Sequence, residues 1–407
     1  MRREFIVSLA LLCLVFMAGC RAPQKAKVPA LDYSRPLPPG ELALRRITDP
    51  AMIPDFTAAC YDLANLRESV AHSLNYLSKP SSRRFFPYGR ITHEHAVAGL
   101  QAFGDMLDSG LAGRELARAI RSKFDVYISV GCDNRGTVLF TGYYTPIFDG
   151  SLEATGEFQY PLYKQPDDLV KGEDGVILGR AGPGGTYTKY PSRAELATSG
   201  ELVGSELVWL GSPFEVYVAH VQGSAKIRLP DGQLITMGYA ANNGHEYRSI
   251  GQELIADGNI SADGLSLTAM IDYFKAHPGQ ADRYIQRNPR FVFFQMSDGP
   301  PRGSLNEPVT AMRTIATDKS IYPRACLAFL SANLPGAGGS VAVGRKFSGF
   351  VLDQDTGGAI RAPGRCDVYM GTGDDAGRRA GQTYEEGKLY YLFLKPTALT
   401  GAPWNAR

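Results

Sequence analysis

The chain has 407 residues, and its 43 Lys and Arg against 41 Asp and Glu leave a formal charge of +2 at pH 7. A chain so nearly balanced presents no strong field for nucleic acid. None of its six cysteines is spaced Cys-x-x-Cys, so there is no signal for structural zinc or a dithiol redox site.

The N-terminus reads Met1-Arg2-Arg3-Glu4, then an apolar run from Phe5 to Met17, then Ala18-Gly19-Cys20. This is the layout of a cleaved export signal over 1–19, with an apolar run too short to remain as a membrane span. Small residues before Cys20 resemble a bacterial lipobox, although Met17 stands where Leu is commoner. The resemblance implies that Cys20 is diacylated and becomes the mature N-terminus, held by several acyl chains. Arg21 rather than an acidic residue follows, which by resemblance to other lipoproteins implies outer-membrane sorting in a Gram-negative cell, facing the periplasm. Residues 20–45 are rich in Pro, Lys and Arg with little hydrophobic periodicity, as in a tether. The remaining length suffices for two domains.

Apolar residues recur at three and four over Leu63–Leu77, Glu94–Leu107 and Glu115–Phe124, predicting helices punctuated by Pro80 and Gly110. From Val126 the pattern shifts to short β-type runs, Val126–Val130 and Val138–Phe140, and strand character continues to about 240. The polar, Gly-rich stretch Asp167–Gly185 reads as a surface loop. Helices are expected at Ile250–Ala256 and Leu267–Ala276, stopped by Gly258 and Pro278, followed by strands and Gly turns from Phe291 to Leu394. Cys60, Cys132, Cys326 and Cys366 suffice for two disulfides in an oxidising compartment, with three possible pairings.

The segment that carries the most chemistry is Asp353-Gln354-Asp355-Thr356-Gly357-Gly358-Ala359-Ile360, followed by Cys366-Asp367-Val368-Tyr369. Asp367 lies among β-formers and should project from a strand. Asp355 opens a Gly-rich turn whose backbone can approach a ligand closely. Taken alone, Asp355 reads equally well as a turn cap and Asp367 as a solvated strand residue. Thr141-Gly142-Tyr143-Tyr144-Thr145-Pro146, Val221-Gln222-Gly223-Ser224, Gly238-Tyr239-Ala240, Asn243-Gly244-His245, Tyr247 to Gly251, Asn288 and Phe291–Phe294 precede it in that order. The ordered set resembles the membrane-bound lytic murein transglycosylase A family from about 140 to 395.

That resemblance implies a mainly β protein with N-terminal helices: a double-psi β-barrel interrupted by an inserted, barrel-like β-domain, with the substrate groove between them. The barrel would comprise 46–146 and 300–396, including a three-aspartate (3D) domain at about 310–395, and the insert 147–299. The implied activity is that of a peptidoglycan lytic exotransglycosylase, a lyase cutting the β-1,4 bond between N-acetylmuramic acid and N-acetylglucosamine and leaving 1,6-anhydromuramoyl ends. Its implied partners are the glycan strands, the outer membrane through the lipid anchor, and cell-wall synthesis or division proteins. The catalytic aspartate of the family falls on Asp367 and a second active-site aspartate on Asp355. Cys366 departs from the usual aromatic, and a disulfide there is a candidate replacement for its packing.

Ordinary glycosidases need two carboxyl groups. In the implied reaction the C6 hydroxyl of the muramic acid attacks its own C1, and oriented intramolecular groups reach effective molarities of about 10⁵ M or more. One acid/base group then suffices, provided the site raises its pKa by desolvation or a neighbouring carboxylate. Tyr143, Tyr144 and Tyr247 offer flat faces for sugars, and Thr145, Gln222, Ser224 and Asn243 offer hydrogen bonds. Alternation along a strand predicts that only one of Tyr143 and Tyr144 faces the substrate. Gln222-Gly223-Ser224 also reads as a strand bulge. No cofactor or metal is expected: His93 and His95, two apart, point to different faces of a helix, and no His-Glu-x-x-His string occurs. A phosphate loop at Gly371-Thr372-Gly373 is excluded by its context, and that segment reads as a loop between strands. A two-carboxylate glycoside hydrolase and a non-catalytic wall-binding lipoprotein are the alternative functions.

Overall fold

The computed structural model describes residues 31–172, 175–261, 264–335 and 346–399; the signal segment and Cys20 lie outside them. The elements below belong to the unit Tyr33–Arg407. In chain order the first are β1 (Leu44–Arg46), α1 (Leu66–Ser78), α2 (His93–Asp108), α3 (Gly113–Lys123), β2 (Phe124–Ser129) and β3 (Val138–Thr145). Helix α1 buries Leu66, Ser69, Val70, Ser73, Tyr76 and Leu77, one face at three-to-four spacing. Helix α2 starts where the Thr92 hydroxyl accepts from the His95 amide at 3.1 Å. Phe124, read as helical from periodicity, instead opens β2 opposite Leu394. Ala43 is fully buried and β1 pairs with β2, so ordered packing begins within the segment read as a tether.

Next come β4 (Ile147–Ser151), β5 (Tyr160–Tyr163), β6 (Leu169–Lys171), β7 (Ile177–Ala181), β8 (Tyr187–Thr188), α4 (Arg193–Ser199), β9 (Glu206–Leu210), α5 (Pro213–Gln222), β10 (Ser224–Arg228) and β11 (Leu234–Asn242). Then follow α6 (Ile250–Ala256), α7 (Leu267–Ala276), α8 (Ala281–Ile285), β12 (Val292–Ser297), β13 (Thr314–Ala316), β14 (Leu327–Asn333), β15 (Lys346–Asp355), β16 (Arg365–Thr372), α9 (Asp374–Gln382) and β17 (Tyr384–Leu394).

Two sheets organise these strands. In the first, β17, β14, β15, β13, β16 and β3 follow one another, and a further β17–β3 pairing closes them into a six-stranded barrel. The second runs β12-β11-β10-β4-β9-β5, and a bridge between Lys164 and Phe294 brings its two ends together. Every strand of the second sheet lies in sequence between β3 and β13. Helix α2 and the segment before α1 meet the barrel through an aromatic cluster: Phe103 packs on Phe350 at 5.2 Å, Phe56 on Phe329 at 4.9 Å and Phe329 on Phe350 at 5.2 Å. Truncating a ring in such a cluster typically costs about 3–5 kcal/mol.

Several segments depart from their sequence pattern. The stretch expected as a loop at Asp167–Gly185 contributes β6 and β7 to a three-stranded meander with β8. Helices α4 and α5 interrupt what reads as continuous strand. Ser192 caps α4 in a capping box with Glu195, and α5 has Ser212 as cap and Pro213 in its first turn. The Gln222-Gly223-Ser224 segment is the end of α5 rather than a bulge, with Gly223 at φ 74° as its left-handed cap. The sequel of Gly371-Thr372-Gly373 is helix α9, not a loop. Its sequence lacks a large apolar stripe because it lies directly against β3 and β16, and a Cβ on Gly142 would fall 2.7 Å from Ala380 Cα.

No disulfide joins the four described cysteines. Cys60, Cys132, Cys326 and Cys366 are separate buried thiols. Cys366 is fully buried among the barrel's core residues, so the departure from an aromatic is accommodated on the strand face opposite Asp367.

Candidate active site

Strand pairing sets the frame of the site. Ala316 of β13 is the register partner of Asp355 on β15 and of Asp367 on β16, and Asp367 is in turn the partner of Thr141 on β3. This makes one row, Asp355–Ala316–Asp367–Thr141, across four strands. At the usual strand spacing the two aspartates are roughly 10 Å apart along the backbone, with only an alanine methyl between them. Two residues further along, Tyr369 pairs with Tyr143, and their rings pack at 5.2 Å.

Asp355 owes its place to a pinned neighbour. The buried Gln354 amide donates to Ser69 O at 2.7 Å and to Ser73 Oγ at 2.9 Å of α1, while its carbonyl accepts from Thr314 Oγ1 at 2.7 Å. A register shift between Ile315 and Ala316 breaks the simple alternation here. It leaves Asp353 wholly buried and Asp355 half-buried. Asp355 Oδ1 accepts from the Ser304 and Thr356 amides, each at 2.8 Å, and Oδ2 accepts from the Tyr143 hydroxyl at 2.8 Å. The Ser304 loop comes close because residue 303 is glycine: a Cβ there would lie 2.9 Å from Gln354 O. Burial raises the pKa of Asp355, and its hydrogen bonds and Lys319 oppose the rise.

Asp353 is committed inside the barrel. It pairs with Lys319 and accepts from Thr317 Oγ1 and Tyr391 Oη, each at 2.7 Å. Asp367 is different. Thr141 Oγ1 donates to its Oδ1, and no described residue hydrogen-bonds its Oδ2. Its pKa is pushed up to about 6, chiefly by burial, with Arg365 pulling it down and the Asp355 charge pushing it further up. Of the three aspartates, one therefore combines a free oxygen with an acidity suited to proton transfer near neutral pH.

The other expected residues are distributed unevenly. Tyr143 is at the site and half-buried, whereas Tyr144 is buried on the opposite strand face against Gly377 of α9. Thr145 and Ser224 meet at 3.1 Å, and Thr145 also meets Tyr369 Oη at 3.0 Å, in a buried chain of hydroxyls joining the two sheets. Gln222 Oε1 accepts from the Tyr144 amide at 3.0 Å. Asn243 is spent on backbone: its amide nitrogen donates to Pro191 O and Pro289 O, at 2.8 and 2.9 Å, and its oxygen accepts from Phe291 N at 2.9 Å. Of the tyrosines, Tyr143 and Tyr247 are half-buried, and Tyr247 lies near enough to Arg365 to feel its charge. His93 bonds Ser82 at 2.9 Å and His95 bonds Leu394 O at 2.6 Å, each bracing a separate part of the fold.

Three functional features escape a reading of the sequence. Thr141 belongs to a quoted string but its role depends on the β3–β16 pairing. Ser304 acts through its amide, which has no sequence signature. Arg365 left a signal that the sequence reading did not use: two residues before Asp367 on one strand, it must share its face.

Comparison with known proteins gives the family. The chain matches the family model for the MltA specific insert domain over residues 139–295 and that for the 3D domain over 313–393. It is 30% identical over 353 residues to the membrane-bound lytic murein transglycosylase A of Escherichia coli (strain K12), covering 85% of this chain and 86% of that protein. The chain belongs to the membrane-bound lytic murein transglycosylase A family. A Vibrio cholerae member is 30% identical over 280 residues, covering 67% of this chain and 70% of that one. Among solved members of the family, E. coli MltA with bound chitohexaose has a TM-score of 0.66 at 27% identity, covering 91% of this chain and 98% of that one. A membrane-bound lytic murein transglycosylase from Agrobacterium tumefaciens shares the fold with a TM-score of 0.74 at 24% identity, covering 88% and 99%.

Proposed function

We propose that this chain is a peptidoglycan lytic transglycosylase with Asp367 as its single acid/base. Its carboxyl protonates the glycosidic oxygen between N-acetylmuramic acid and N-acetylglucosamine, the C6 hydroxyl of the muramic acid attacks C1, and the resulting carboxylate takes the C6 hydroxyl proton. The observation that carries this reading is the unequal state of the three aspartates. Asp353 and Asp355 have their oxygens committed, whereas Asp367 keeps Oδ2 without a partner among the described residues and a pKa of about 6. A carboxylate held by three donors, as Asp355 is, makes a poor base or nucleophile, which disfavours a two-carboxylate hydrolase. In this reading Asp355 acts on Asp367 through its charge and orders the Ser304 loop.

The barrel strands of 46–146 and 300–396 would form a double-psi barrel, the 147–299 segment an insert, and the glycan would lie between them. Tyr143 and Tyr247 are the residues proposed to stack on sugars; Tyr144, Thr145, Gln222, Ser224 and Asn243 support them by holding strands and loops in place. Anchoring to the outer membrane through Cys20, with the body in the periplasm, is supported by the first twenty residues and by the membrane-bound relatives. No helix among the described residues is long and apolar enough to cross a membrane.

The test is the product of the full chain acting on purified sacculi. Mass spectrometry should find muropeptides lighter by one water than hydrolytic products, with 1,6-anhydro ends. Reducing ends carrying added water would replace this reading with hydrolysis, and the absence of soluble product would replace it with glycan binding alone.

A further inference from the structure

Arg365 stands two residues before Asp367 on β16, and period-two alternation places both side chains on one face. Its Nη2 donates to Thr141 Oγ1 at 3.3 Å, and Thr141 Oγ1 donates to Asp367 Oδ1. The guanidinium makes no ion pair among the described residues, and its Nε is shut off from solvent with no hydrogen-bond partner. Arg365 is half-buried, and a guanidinium whose Nε is withdrawn from water without a paired carboxylate carries a desolvation cost that packing alone does not explain.

The direction of these bonds has a chemical consequence. Guanidinium can only donate, whereas a threonine hydroxyl has one proton and two lone pairs. Once Thr141 accepts from Arg365, its single proton is free for Asp367. An oxygen that accepts that proton is the poorer place for a second one, so the carboxylic acid carries its own proton on the other oxygen. We infer that Arg365 is a positioning residue for the acid/base group: by donating to Thr141 it fixes the threonine proton on Asp367 Oδ1 and confines the transferable proton to Oδ2. This rests on the proposed role of Asp367. The proton leaves Oδ2 for the glycosidic oxygen as the C1–O bond breaks. As C1 bonds to O6, the C6 hydroxyl returns a proton to the same Oδ2, so no water or other reactant enters.

The charge of Arg365 acts in the same place. The charged groups that act on Asp367 are Arg365 on its own strand and Asp355 on β15; Tyr143 on β3 and Cys366 on the far face lie near it but stay neutral, their own pKa values being raised by burial and by the aspartates. Arg365 is the cation among them. It favours the carboxylate left after proton donation and offsets part of the effect of burial.

The test is the pH dependence of kcat and KM for anhydro-product release by the full chain in detergent. Arg365→Gln should lower kcat about tenfold with KM unchanged, and move the alkaline limb up by about one pH unit. Arg365→Lys, which keeps charge and donor, should restore most of the limb. Thr141→Val should lower kcat to a similar degree, and the double variant should lose no more than the worse single, because both act through one hydrogen-bond chain. Multiplicative losses in the double variant, a wild-type limb in Arg365→Gln, or a change confined to KM would each overturn the proposal. Melting temperature separates these outcomes from misfolding; if Arg365→Gln does not fold, Thr141→Val and Arg365→Lys decide. Wild-type turnover of Asp367→Asn is a distinct result that removes the acid/base reading itself.

Discussion

Asp367 must be protonated to donate to the glycosidic oxygen, so turnover should fall as its carboxyl ionises. With that carboxyl held at about 6, the protonated fraction is about nine-tenths at pH 5 and about one-tenth at pH 7, a roughly tenfold fall. A carboxyl at an ordinary aspartate value of about 3.9 would lose about a hundredfold over the same interval, because it is already mostly ionised at pH 5. The size of the fall therefore reports whether burial has tuned the group. The Asp355 charge is one of the causes that raise Asp367, so Asp355→Asn should move the limb to lower pH and depress the rate at pH 7 more than at pH 5. Asp367→Asn should lose about 10²- to 10⁴-fold at every pH while still binding sacculi. Initial rates of anhydro-muropeptide release, read by mass spectrometry at saturating substrate, give all three curves. A flat wild-type profile from pH 5 to 7, or a limb that moves upward in Asp355→Asn, would refute the reasoning.

Two further expectations concern stability. Lys319→Met strands the Asp353 carboxylate in the barrel and should cost about 3–5 kcal/mol in denaturant unfolding, while a second change, Asp353→Leu, should recover most of the loss; an unchanged midpoint in the single variant would rule the pair out as a stabilising contact. His220 lies 4.6 Å from Phe291 and 5.6 Å from Phe294, with both ring nitrogens buried and unpartnered, and burial aided by the Arg193 charge keeps its pKa well below 6.5. The unfolded chain therefore takes up a proton that the native one refuses, and stability should fall as pH drops below about 6.5, by roughly 2 kcal/mol at pH 5 relative to pH 8. His220→Phe should remove that increment, and an equally steep fall in the variant would show that other groups cause it.

Much of the fold was visible in local pattern. Helices α1 and α2 follow from apolar spacing, with the Thr92 cap added at the start of α2, and β2 and β3 from β-branched and aromatic runs between turns. The segments that escaped are those whose stability is borrowed from neighbours. The sequence Asp374–Gln382 offers only the small residues Ala376 and Ala380, four apart, as an inward face among Gly and charged residues, yet it is helical because those small residues let it lie on β3 and β16. The thiols show the same limit: their count allowed two disulfides, but only the fold could say which side chains meet, and it leaves all four described cysteines separate.

The site divides along the same line. Sequence by itself determined that Asp355 and Asp367 belong to one constellation with Tyr143, because those strings occur in order; that Arg365 shares a face with Asp367 follows from strand alternation only once β16 is known to begin at Arg365. The resemblance put the catalytic role on Asp367, but the residues alone could not say which aspartate has an oxygen left free. That depends on Lys319 reaching Asp353, on the Ser304 amide reaching Asp355, and on Thr141 being brought beside Asp367 by a parallel pairing across 226 residues of chain. A carboxyl's pKa is set by what lies within a few ångströms of it, and tertiary structure alone decides those neighbours.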